Sequence, residues 1–94
     1  MKRVEIITNQ AIAEDILDSL EAHNIAENYT IIPHIHGRGK KGTRLGSPLW
    51  PEENCIYILY IDDDNVQIVK DVIKGIKDRF PNEGTKMFIS PVEE

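Results

Sequence analysis

The sequence of 94 residues holds one cysteine, Cys55. No disulfide can therefore form within the chain, and a zinc site made only of cysteines is excluded within one subunit. The C-x-x-C pair of small metal carriers is absent as well. No apolar run approaches the roughly 18 residues that a membrane-spanning helix needs, so direct membrane insertion is not expected. A strand-like segment begins almost at Met1 and leaves no room for a signal peptide, which makes a cytoplasmic location the expectation. Basic residues are outnumbered: 11 Lys and Arg stand against 16 Asp and Glu, a net charge of -5, which argues against nucleic acid as a partner. There is no internal repeat, no Ser-His-Asp order that a small fold would assemble and no strained nucleophile turn, so catalysis is not expected. What is present is ordinary globular composition, 40% hydrophobic and 29% charged, in a length that suits one domain spanning 1–94.

The pattern along the chain gives six elements. Lys2 to Thr8 is short and β-branched and reads as a strand. Asn9 can cap a helix from about Gln10 to His23, whose Ile12, Ile16, Leu17 and Leu20 share one face, with Asn24 as its stop. Tyr29 to His36 reads as a second strand. Pro33 has no N–H for a ladder, which places this strand at a sheet edge. Cys55 to Ile61 is the strongest strand. Asp62, Asp63 and Asp64 then offer helix caps, and Asp64 with Gln67 resembles a capping box. The second helix runs to about Arg79 with Val66, Val69, Ile73 and Ile76 inward. Pro81 to Gly84 is a turn, and Lys86 to Ser90 a last strand. The order β-α-β-β-α-β predicts an α+β, ferredoxin-like fold: a four-stranded antiparallel sheet with both helices on one face.

One strand breaks the expected alternation. Cys55, Tyr57, Leu59 and Ile61 point one way, and Ile56, Ile58 and Tyr60 the other. A sheet covered by helices on one side should be polar on the other. With no third helix, further copies of the chain are the expected cover.

Gly37 to Asn54 reads as a loop, broken by glycines and by Pro48 and Pro51. Gly37-Arg38-Gly39-Lys40-Lys41-Gly42 matches G-x-G-x-x-G literally, yet it opens no helix, so the dinucleotide-binding reading fails on context. Arg38, Lys40, Lys41 and Arg44 nevertheless concentrate positive charge beside glycines, whose backbone N–H groups can approach an anion. Lys41, Arg44, Leu45, Leu49 and Trp50 are candidates for contact with a partner protein. His34, His36 and Cys55, gathered at the loop neck with Glu52 and Glu53 close by, are candidate ligands for zinc or copper. Two families of this topology are excluded by their motifs. Thr8-Asn9-Gln10 lacks the anion loop of acylphosphatases, and the strand from Cys55 lacks the basic-Gly opening of RNA-recognition motifs.

Four stretches together resemble the nitrogen-regulatory P-II signalling family and its wider P-II-like superfamily. Lys2 to Ile7 is similar to an opening K-x-V-E-x-I. His36 to Gly42 is similar to G-x-G-R-Q-K-G at the entry to the family's long loop. Ile61 to Val66 resembles V-D-D-x-x-V, and Thr85 to Glu94 resembles G-K-I-F-V-x-P-V-E-E. The resemblance implies a homotrimer with adenine-nucleotide sites in clefts between subunits and a loop that docks on target proteins, a membrane transporter among them. Carried over, the ligand-binding positions are Gly37, Arg38, Gly39, Lys40, Gly84, Thr85 and Lys86. The loop is shorter than the family's and carries no tyrosine between Gly37 and Asn54, and the family's G-D-G-K turn is reduced to Glu83-Gly84-Thr85-Lys86. The copper-tolerance CutA family has the same trimeric fold, which keeps a metal-binding role with His34, His36 and Cys55 as the alternative.

Overall fold

The computed structural model describes residues 1–39, 42–44 and 53–93. Strand β1 (Lys2–Asn9) passes through a single 3-10 turn, Gln10–Ile12, into helix α1 (Ala13–Ala22). β2 (Thr30–Ile35) is followed by the small strands β3 (Gly37–Gly39) and β4 (Gly42–Arg44). β5 (Asn54–Ile61), a second 3-10 turn at Asp63–Asn65, helix α2 (Val66–Arg79) and β6 (Lys86–Pro91) complete the chain. The main sheet has the order β2-β5-β1-β6, with every neighbouring pair antiparallel. This is the expected ferredoxin-like sheet, with β2 and its Pro33 at an edge.

Alternation builds the core. Val4, Ile6 and Thr8 of β1 and Cys55, Tyr57, Leu59 and Ile61 of β5 turn to the helices and are buried. Ile16 and Leu20 of α1 and Val69, Val72, Ile73 and Ile76 of α2 close over them. Each fully buried Ile or Leu contributes about 1.5–3 kcal/mol. Tyr57 is buried whole because its hydroxyl donates to the Ala13 carbonyl at 2.9 Å, which spares a phenol the cost of an unpaired O–H.

The helix ends differ in detail from the sequence expectation. Asn9 is the last residue of β1 and caps the 3-10 turn, its side chain accepting from Ala11 N at 3.0 Å, so α1 starts later than Gln10. Asn24 adopts a left-handed φ of 57°, Asn24 N donates to Glu21 O, and Ile25 N donates to Leu20 O. This closing motif drives Ile25 into the core beside Leu20. No capping box forms at Asp64. Neither Asp62 nor Asn65, which occupy the cap positions, makes a side-chain cap bond, and Gln67 Nε2 donates instead to Asp71 Oδ1 at 3.0 Å, one turn further along α2.

The other face of the sheet bears the second apolar set. Cross-strand register aligns Ile32, Ile56 and Ile7 in one row, and Thr30, Ile58, Glu5 and Phe88 in the next. Within the single chain Ile32, Tyr60 and Phe88 are 43%, 53% and 57% exposed. The Tyr60 hydroxyl accepts a bond from Arg3 Nη1 at 3.2 Å.

Candidate functional site

Four strand ends meet at one end of the sheet. Asn54, the first residue of β5, pairs with Asn9 of β1 on one side and with Ile35 of β2 on the other. Lys86, the first residue of β6, pairs with Ile7. The root of the 37–54 segment and the turn before β6 therefore stand at the same end, joined through the end of β1.

The turn before β6 is held by three hydrogen bonds. Glu83 N donates to Phe80 O at 3.1 Å, closing a β-turn that holds Pro81 at its second position. Thr85 is buried, and its hydroxyl shares a 2.8 Å bond with the buried Thr8 hydroxyl. Asn9, 4% exposed, donates Nδ2 to Glu83 Oε2. Gly84 is half-buried and Lys86 exposed.

The root of the loop segment is equally specific. Gly37 lies against Asn54, and a Cβ there would stand 2.8 Å from Asn54 Nδ2, so a larger residue would have to push the Asn54 side chain aside. Asn54 Oδ1 is buried with no hydrogen-bond partner among the described residues. The expectation that 37–54 is all loop needs correction. Gly37 pairs with Arg44, Arg38 with Thr43 and Gly39 with Gly42, so β3 and β4 form a two-stranded ladder within the segment, and Asn54 itself belongs to β5. Arg38 is exposed. The candidates Lys40, Lys41, Leu45, Leu49 and Trp50 lie outside the described residues, and of Arg44 only the backbone is described.

The metal candidates separate. Pro33 and His34 interrupt β2: the pairing with β5 shifts register between Ile32 and Ile35, and His34 takes a left-handed φ of 54°. His34 N donates to Gln10 Oε1 at 2.9 Å, and Gln10 N donates to Glu53 O at 2.8 Å. His34 Nδ1 stands 3.1 Å from Glu53 Oε1, and His36 Nε2 stands 3.8 Å from Glu53 Oε2. Each imidazole thus faces a different oxygen of one carboxylate. Cys55 points into the core, where burial pushes its thiol up to about 11. Among the described residues no group of three His, Cys, Asp or Glu side chains could hold a metal ion. The proposed gathering of Cys55 with the two histidines at the loop neck is not what the fold produces, because strand alternation sends residue 55 inward.

Thr8, Asn9, Gln10, Glu53 and Glu83 carry most of the polar structure here. By sequence alone Asn9 is a cap, and Thr8-Asn9-Gln10 is marked by the anion loop it lacks. The usable signal was Thr8 itself, a hydroxyl at a core-facing position of a strand.

The model of the family described as nitrogen regulatory protein P-II matches residues 1–94. The chain belongs to the P-II family. Solved structures agree with this P-II fold. CPII, a nitrogen regulatory PII-like protein from Thiomonas intermedia K12, was solved bound to ADP, AMP and bicarbonate. It is 22% identical, with a TM-score of 0.73 over 95% of this P-II chain and 82% of CPII. A DUF3240 family protein from Shewanella baltica OS155 is 15% identical, with a TM-score of 0.69 over 99% of this chain and 91% of that one. No curated protein matches this P-II chain significantly.

Proposed function

We propose that this P-II chain is a non-enzymatic regulatory protein of the cytoplasm. It assembles as a homotrimer through the apolar outer face of its sheet. It binds an adenine nucleotide in the clefts between subunits and presents the 37–54 segment to a target protein, such as a membrane transporter. The observation that carries the reading is the convergence of the Gly37 root and the Gly84-Thr85-Lys86 turn on one end of one sheet, in a chain of a family with a nucleotide-bound fold relative. Gly37, Arg38, Gly39, Lys40, Gly84, Thr85 and Lys86 are the proposed contacts. Backbone N–H groups at the glycines and the charges of Arg38, Lys40 and Lys86 suit a phosphate. Lys41, Arg44, Leu45, Leu49 and Trp50 are the proposed contacts for the target.

Calorimetry with ATP, ADP, AMP and cyclic AMP tests the ligand. Binding is expected, weakened about tenfold or more by Lys86→Ala, since a charge-assisted contact contributes about 1.5–3 kcal/mol. No heat with any of the four removes nucleotides from the proposal. The alternative, a copper- or zinc-binding trimer, would rest on His34 and His36 without Cys55.

A further inference from the structure

We propose that Glu83 is the specificity-determining residue of this site, setting a limit on how much negative charge the bound ligand carries. The inference rests on the nucleotide reading above and deepens it.

Glu83 is the acid within the turn proposed to face the phosphates, immediately before Gly84, Thr85 and Lys86. An acid on an ordinary surface turn would swing away from an anion at little cost. This one is held by both its backbone and its side chain. Its N–H is fixed by the 3.1 Å bond to Phe80 O, and its Oε2 accepts from Asn9 Nδ2. Asn9 is itself 4% exposed, sits on the last position of β1 and has its Oδ1 engaged by Ala11 N. Moving the carboxylate aside would leave the Asn9 amide buried and unpaired, the expensive outcome for a polar group. The Thr8 to Thr85 bond holds the chain to β1 two residues further on too, so the turn cannot carry Glu83 away as a body.

The proposed site therefore presents a preorganised negative charge in the turn that leads into Gly84, Thr85 and Lys86. Like charges repel most where one of them cannot move or be well hydrated. Repulsion grows with the charge of the ligand, so a triphosphate is penalised more than a monophosphate. A neutral hydroxyl suffers no such penalty and can donate to the carboxylate.

The test is calorimetry of the full chain, in its solution oligomeric state, with AMP, ADP and ATP against wild type and Glu83→Gln. Glutamine keeps the shape and an acceptor for Asn9 while removing the charge, and an unchanged melting temperature verifies that the turn survives. The expected result is a gain of about tenfold or more for ATP and less than about threefold for AMP, with ADP between, as a charge effect in a partly screened site demands. Equal changes for all three, or none while wild type still binds, overturn the role of Glu83 and leave the nucleotide site standing. Absence of binding in both proteins overturns the nucleotide reading and this inference with it.

Discussion

Phe88→Ser is the most direct probe of the proposed trimer. Phe88 stands on the outer face of β6, opposite Glu5 in the register and in the same row as Ile58. In the single chain it is 57% exposed, so more than half of its apolar surface remains to be buried. Complete burial of such a side chain contributes about 1.5–3 kcal/mol, which leaves about 1–2 kcal/mol for assembly per copy and about 3–5 kcal/mol for three copies. At about 1.4 kcal/mol per factor of ten, the substitution weakens assembly by roughly two to four orders of magnitude. The isolated chain should fold nearly as before, because the lost contacts lie outside the core. Sedimentation equilibrium across a micromolar concentration series reads the assembly, and far-UV circular dichroism reads whether the variant stays folded. Wild type is expected at three times the 10.7 kDa chain mass, with Phe88→Ser dissociating toward one chain at concentrations where wild type does not. A wild type that sediments as a single chain, or a variant that assembles as tightly as wild type, refutes the argument that the outer face needs a second covering.

Two further perturbations test the fold itself. Asn24 has a φ of 57°, a conformation open to glycine and tolerable for asparagine but costly for other side chains. Asn24→Ala should lose about 1 kcal/mol, a fall of about 4–8 °C in Tm for a domain of this size, while Asn24→Gly should lose little; equal melting of the two variants contradicts the assignment. Stability should also decline in alkali. Burial raises the Cys55 thiol from 9.0 to about 11, and burial first, then the neighbouring Cys55, raises the Tyr57 hydroxyl from 10.0 to about 12. Both groups ionise earlier in the unfolded chain, so stability is complete below pH 9 and is lost as pH climbs through these raised values. Urea unfolding from pH 7 to 11 should show the decline, and Cys55→Ala should flatten its first part; an unchanged slope in that variant means that the thiol contributes nothing.

Periodicity alone determined which residues form the core of this protein. Val4, Ile6, Ile16, Leu20, Leu59, Val69, Ile73 and Ile76 are buried because the periods of strand and helix leave them one common side, and the same arithmetic exposed the excess apolar set at Ile56, Ile58 and Tyr60. Pro33 marked the edge strand because a missing N–H is a local property. The helix starts were less legible. Asp64 and Gln67 have the spacing of a capping box, but spacing does not decide whether the chain enters α2 through a 3-10 turn. The candidate site depended still more on tertiary structure. Glu53 faces two histidines across the neck, and Asn9 holds Glu83 although 74 positions separate them. Such contacts arise only when four strand ends are brought to one edge. The sequence therefore determined which side of each element is wet or dry, because that follows from the element's own period. The tertiary structure decided which polar groups meet, because hydrogen bonds are short and directional and their partners come from distant parts of the chain.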